Sequence, residues 1–310
     1  MTNTFKAISN TYNKLSNIGK ILIFVCLFLI VVLLFKNVDA KKENFEIMEK
    51  NSVKDNIDLY DDFYASIYDD LVMSNIKNEF EIGAISQNLN FSNKTVILDV
   101  GSGTGHHAGK LSQNKNLEII GIDSSKAMVN QSKQNYPSTN FIHGNVMDKN
   151  VFTFNKFTHI LCLYFTIYYI KDKRHFFDNC MDWLLPGGYL YLHIVDRDNF
   201  DPILPPGNPL FIVSPQKYAK KRITNTNINF NDFKYKCDFE LNESNNTASF
   251  KEKFKFNNGN TRTNNHTLFM EDSETILLYA QQSGFTLHSI IDLIKVGYEN
   301  QYVYVFTKPG

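Results

Sequence analysis

Residues 96–123 constrain this chain more than any other stretch. Val96, Ile97, Leu98, Asp99 and Val100 make an apolar, strand-like run that ends in the turn Gly101-Ser-Gly-Thr-Gly105. A helix-like segment follows, and a second apolar run from Leu117 to Ile122 ends on Asp123. Glycines let backbone approach a ligand where any side chain would collide. The start of the next helix offers unpaired N–H groups to ligand oxygens. A carboxylate at the tip of the second strand can accept hydrogen bonds from two ribose hydroxyls. Together these features form half of a nucleoside-binding site in a doubly wound α/β sheet.

The spacing narrows the ligand. Dinucleotide folds carry G-x-G-x-x-G, whose helix start meets a pyrophosphate. Here Gly101, Gly103 and Gly105 are spaced G-x-G-x-G, with Asp99 just ahead. This resembles the class I S-adenosylmethionine-dependent methyltransferases of the small-molecule type. The resemblance continues in order. Phe141 to Val146 matches a third strand and its adenine loop, and Phe157 to Tyr164 matches a fourth strand. Trp183-Leu-Leu-Pro-Gly-Gly188 matches the turn into a fifth strand ending at Val195. Residues 285–293 and 301–307 match a closing antiparallel pair. Residues 58–196 and 271–310 are covered. The resemblance implies a Rossmann-like seven-stranded doubly wound sheet, strands six and seven antiparallel, with S-adenosylmethionine as cofactor. It assigns cofactor contacts to Tyr64, Tyr68, Asp99, Gly101, Ser102, Gly103, Gly105, Asp123, Ser124, Met128, Asn145, Val146 and Leu163. Two positions depart from the family pattern. Asn145 stands where the adenine loop usually has Asp, and Thr158 replaces an Asp at the start of the fourth strand.

The organisation predicted along the chain is a tail at 1–20, a transmembrane anchor at 21–36, a linker at 37–55, a methyltransferase core at 56–196, a substrate-lid insertion at 197–270, and the end of the core at 271–310. Residues 21–35 hold no polar side chain, between Lys20 and Lys36. As a helix they span about 22 Å, short of a ~30 Å hydrocarbon core, a deficit that snorkelling lysines and local thinning cover. A signal peptide cleaved after Val38-Asp-Ala40 is the alternative. Flanking lysines are nearly balanced, so charge does not orient the segment. The cytosolic origin of the cofactor implies a cytosolic catalytic domain on a single-pass anchor. Tyr60, Tyr64 and Tyr68 are four apart and share a helical face. That face is either half-buried packing or the family's entry helix beside the cofactor. The insertion opens proline-rich and then alternates over 225–232, 233–241 and 248–256, which predicts antiparallel strands.

Formal net charge is zero, so no nucleic acid or other polyanion is indicated as a partner. The four cysteines, Cys26, Cys162, Cys180 and Cys237, lack C-x-x-C spacing and read as buried thiols. No metal-ligand spacing stands out. Methyl transfer from a sulfonium needs approach geometry and a dry pocket, and a base only where the acceptor demands one. Tyr164, His193 and Asp196 are the catalytic candidates, with Tyr168 and His266 nearby. The resemblance leaves the acceptor open among small molecules, lipids and protein side chains; a tether makes a membrane-associated acceptor natural. Two other readings are a non-catalytic S-adenosylmethionine-binding membrane module and an NAD(P)-dependent reductase. The latter rests on Tyr169-Ile-Lys-Asp-Lys173, a Y-x-x-x-K match that follows strand four and has no serine ahead of it.

Overall fold

The computed structural model describes residues 16, 19–28, 51–87, 89, 95–207 and 215–310. The chain divides into two compact units, residues 1–48 and 49–310. In the first, residues 19–28 form a helix whose side chains at 21–28 are exposed. Among the described residues no helix is long and apolar enough to cross a membrane. Residues 29–36 of the expected anchor, and 37–50 of the expected linker, lie outside the described residues. Cys26 on this helix is exposed, against expectation; the other three thiols are buried and all four are free.

The second unit runs β1 (Ser52–Asp55), α1 (Asp62–Val72), α2 (Asn75–Gln87), β2 (Thr95–Val100), α3 (His106–Leu111), β3 (Leu117–Asp123), α4 (Lys126–Asn135), β4 (Asn140–His143), β5 (Phe157–Cys162), α5 (Thr166–Tyr169), α6 (Lys173–Trp183) and β6 (Leu184–Val195). It continues with β7 (Asn225–Asn229), β8 (Phe233–Asn242), β9 (Thr247–Phe256), β10 (Thr261–Phe269), α7 (Ser273–Gln282), β11 (Thr286–Asp292) and β12 (Gln301–Thr307).

Seven strands form one sheet in the order β11-β12-β6-β5-β2-β3-β4. β2 to β6 pair in parallel, and β12 is antiparallel to both β6 and β11. The expected closing pair is therefore antiparallel internally, while β12 alone runs against the sheet. All six residues of β2 are buried. A parallel strand covered on both faces reads as a continuous apolar run, which is why this strand stands out in the sequence. Its residues divide between two cores. Val96, Leu98 and Val100 pack with Phe176, Phe177 and Trp183; Ile97 packs with Ile85, Ala108 and Leu111. Thr158 accounts for the missing Asp on β5. Its Oγ1 accepts from the Val96 N–H (3.0 Å) and donates to the Val96 carbonyl (2.9 Å), bridging β2 and β5 with a side chain just before their ladder begins.

The second sheet has the order β1-β10-β9-β8-β7. It is antiparallel except at β1, which pairs in parallel with β10. Ser52–Asp55 is thus an edge strand of the insertion sheet, where a linker was expected through residue 55. β10 is also absent from the sequence reading. Its inward positions are Arg262, Asn264, His266 and Leu268, all buried. Three of the four are polar, so the strand shows no apolar alternation.

Candidate active site

The chain builds the sheet outward from β2 through β3 to β4 and then crosses back to place β5 on the other side of β2, and the parallel strands end at this switch point, at which such sheets bind ligands. The glycine turn lies there. Gly101, Gly103 and Gly105 have φ of 63°, 54° and 89°, left-handed values that favour glycine. A Cβ on Gly101 would meet Thr166 Cγ2 at 2.5 Å, and one on Gly105 would meet Phe141 Cζ at 2.6 Å. A Cβ on Gly103 would make only an ordinary contact, with Tyr68 Cε1 at 3.8 Å. Asp123 is held by two backbone donors: the Gly103 N–H at 2.9 Å on Oδ2 and the Ser125 N–H at 2.8 Å on Oδ1. Burial nevertheless raises its carboxyl above the usual range, against both bonds.

α1 faces this turn. Asp61 caps it by accepting from the Tyr64 N–H (3.1 Å). Three contacts fix its position. Arg262 Nη1 donates to both Asp61 oxygens (2.9 and 2.8 Å), and Nη2 donates to the Leu59 carbonyl (2.7 Å). Ser125 Oγ donates to the Tyr60 carbonyl (2.6 Å). Thr104 Oγ1 donates to Asp69 (2.6 Å), fastening the far end of the helix to the glycine turn.

Between these parts lies a cavity of about 810 Å³. Of the residues selected from sequence, Tyr64, Tyr68, Gly101, Gly103, Asp123, Ser124, Met128, Asn145, Val146 and Tyr164 line it. Asn145 Oδ1 accepts from the Met147 N–H (2.9 Å), so its oxygen also stabilises the turn. Four others stand behind the lining. Asp99 is buried, and burial pushes its carboxyl up to about 6 although His107 and the Ala108 N–H act to lower it. Ser102 donates its N–H to the Ile122 carbonyl, Gly105 caps α3, and Leu163 is a core residue.

The catalytic candidates separate. Tyr164 lines the cavity with a left-handed backbone (φ 53°) and with Lys77 Nζ 5.4 Å from its ring centre. His193 is fully buried below it, and burial pushes its imidazole down to about 4. It does not line the cavity. Nor does Asp196, whose oxygens accept from the Asp198 N–H (3.1 Å) and Asn199 Nδ2 (2.8 Å) in a turn. Tyr168 is structural, its hydroxyl accepting from the Val195 N–H (2.8 Å). The Y-x-x-x-K pair is not a functional pair. Lys173 Nζ donates to the carbonyls of Ile170 (3.0 Å) and Phe269 (2.7 Å) and to Glu271 (2.6 Å). Among the described residues no group of three metal ligands occurs.

Sequence reasoning named His266 but missed the buried Glu252 that gathers it into a polar centre of the insertion sheet. Glu252 is fully buried and accepts four hydrogen bonds: Tyr64 (3.0 Å) and Tyr235 (2.7 Å) on Oε1, Asn264 (2.9 Å) and His266 Nε2 (2.9 Å) on Oε2. Burial opposes its charge, but His266 and these donors outweigh it and hold the carboxyl below the usual range. His266 Nδ1 lies 2.6 Å from Tyr169 Oη, and the Tyr60 ring packs edge-on against Tyr169. A signal existed: Glu252 falls in phase with Phe250 and Phe254, on the inward face of an alternating strand.

Comparisons agree with this geometry. Residues 97–188 match a family model described as "Methyltransferase domain". Protein 235L of Invertebrate iridescent virus 6, to which methyltransferase activity is ascribed, is 30% identical over 102 residues. That match spans 33% of this chain and 37% of the viral protein. Among solved structures, an S-adenosylmethionine-dependent methyltransferase of Clostridium acetobutylicum has a TM-score of 0.57 at 18% identity, covering 80% of this chain and 98% of its own. The CcbJ methyltransferase of Streptomyces caelestis has a TM-score of 0.59 at 15% identity, covering 81% and 98%.

Proposed function

We propose that this chain, which carries a class I S-adenosylmethionine-dependent methyltransferase domain, methylates an acceptor held between that domain and its insertion sheet. The observation that carries the proposal is Asp123, fixed by two backbone N–H groups at the rim of a cavity that the glycine turn and six tyrosines share. A left-handed glycine cradle beside a positioned carboxylate fits a ribose and an amino-acid tail. Asp123 would accept from the ribose hydroxyls, and the backbone of Gly101 and Gly103 would pass along the methionine part. Asn145 and Val146 would border the adenine with Met128 and Ser124, while Tyr64 and Tyr68 would close the opposite side. The bound cofactor supplies a methyl group on a sulfonium, open to in-line displacement. The residues of the chain supply position and exclude water.

A membrane tether is the second part of the proposal. Its support is in the sequence: residues 21–35 carry no polar side chain between Lys20 and Lys36. A cytosolic domain on such a tether would meet membrane-associated acceptors. Calorimetric titration of the full chain with S-adenosylmethionine tests the cofactor reading, and saturable 1:1 binding is expected; no binding would refute it. Alkaline carbonate washing of membranes tests the tether, which requires the full chain to remain in the pellet.

A further inference from the structure

The buried polar centre of the insertion sheet meets the proposed cofactor side through Tyr64, and it reaches the cavity separately at Tyr169 and His266. Glu252 has four donors directed at its two oxygens, and this is the environment of an ionised, acceptor-only carboxylate. His266 must then present Nε2–H to it. In the neutral imidazole Nδ1 then keeps a lone pair for the Tyr169 hydroxyl, 2.6 Å away, to donate to. The result is a hydrogen-bonded line from the cavity surface to a buried anion, with each proton position set by the next group.

Rings surround the outer end of this line. Tyr60 lies 5.9 Å from Tyr169 and 6.2 Å from His266, centre to centre, and Phe250 lies 5.2 Å from His266. Such rings present electron-rich faces to a cation, while Glu252 places a net negative charge behind them. Resting on the methyltransferase reading above, we infer that Tyr169 and His266 form the proton-accepting end of the active site, positioned by Glu252, and that the methyl acceptor is an amine that arrives as its ammonium ion.

The step balances as follows. The ammonium gives a proton to Tyr169 Oη while the Tyr169 hydroxyl proton passes to His266 Nδ1. The imidazolium formed there is stabilised by Glu252 at Nε2 and later releases its proton to solvent. The freed nitrogen lone pair forms the N–C bond as the sulfonium C–S bond breaks, its electron pair going to sulfur. The product is a methylated ammonium beside a neutral thioether. Tyr169 and His266 are catalytic in this scheme, and Glu252 is a positioning residue.

Two measurements on the full chain test it. Nitrogen-15 NMR of the histidine side chains, with His266→Gln to assign the signal, should show His266 protonated at Nε2 and bare at Nδ1 near pH 7.5. Glu252→Gln should shift it toward a mixture of tautomers. A wild-type His266 protonated at Nδ1 would overturn the relay, whether or not the Glu252 variant folds. With S-adenosylhomocysteine bound, benzylamine should bind at least tenfold more tightly than benzyl alcohol at pH 7.5. Equal binding, reversed preference or no binding of either probe would overturn the amine assignment. S-adenosylhomocysteine affinity is measured first; its absence would count against the underlying methyltransferase reading and leaves the tautomer test to judge the relay.

Discussion

Asp61→Ala should destabilise the protein more than Arg262→Met, although Asp61 is the more exposed partner of the pair. The two side chains meet at 2.8 Å with side-chain exposures of 34% for Asp61 and 1% for Arg262. Removing Arg262 leaves a carboxylate that water can reach and that still caps α1 through the Tyr64 N–H. What is lost is a charge-assisted bond pair and the donor to the Leu59 carbonyl, about 2–3 kcal/mol together. Removing Asp61 strands a guanidinium whose remaining partners are the Leu59 carbonyl and Asn264, with the Phe63 ring below it. An uncompensated buried charge costs about 3–5 kcal/mol and the lost cap about 1 more. The gap is therefore about 1–4 kcal/mol. Equilibrium urea unfolding of the two variants and the double variant measures it, with the double variant expected to be more stable than Asp61→Ala alone. Equal costs, or a larger one for Arg262→Met, would show that the burial difference does not govern the pair.

Gly103→Val should weaken S-adenosylmethionine binding by placing a branched side chain, at φ 54°, toward Tyr68 across the cavity. Asp123→Ala should cost about 1–3 kcal/mol of binding; calorimetry checks both, and wild-type affinity in both would refute the assigned cradle. His193, fully buried and depressed to about 4 against an unfolded value of about 6.5, stays neutral in the folded state while the unfolded chain takes up a proton. Its contribution is therefore present above pH 6.5 and lost as pH falls toward 4, about 2 kcal/mol by pH 5. Unfolding of His193→Gln across pH 5–8 should show a correspondingly shallower acid slope. Excising residues 225–269 should lower cofactor affinity as well as turnover, because Tyr64 loses Glu252 and α1 loses Arg262; calorimetry on a soluble, folded variant would read it.

The seven-stranded sheet was legible because parallel strands buried on both faces read as mostly apolar runs, as Val96, Ile97, Leu98 and Val100 of β2 do. The glycine turn was legible because left-handed backbone and close approach at Gly101 and Gly105 admit little else. β10 was not, because its inward face is polar and each polar group is satisfied by a partner far away in sequence. Arg262 finds Asp61, and His266 finds Glu252 and Tyr169. Periodicity reports burial only where burial is apolar. β1 was hidden for a different reason: four residues in parallel pairing at a sheet edge need no apolar pattern of their own. His193 and Asp196 stood in chemically suggestive positions on β6 and just after it. The structure gives one to the core and the other to a turn, a distinction that depends on side-chain direction.

The insertion is more than a cover placed over a finished cofactor site. One carboxylate, Glu252, accepts from Tyr64 on the side proposed for the cofactor and from His266 on the side proposed for the acceptor, through different oxygens. A shift of β9 relative to the core would disturb both bonds together. Arg262, two strand positions away from Asn264 on β10, adds a second connection by fixing the first turn of α1. The helix proposed to border the cofactor is thus positioned by the strands proposed to border the acceptor. In a reaction that depends on aligning a nucleophile, a methyl group and a leaving sulfur, that shared framework sets the angle between the two halves without requiring either ligand to order the other.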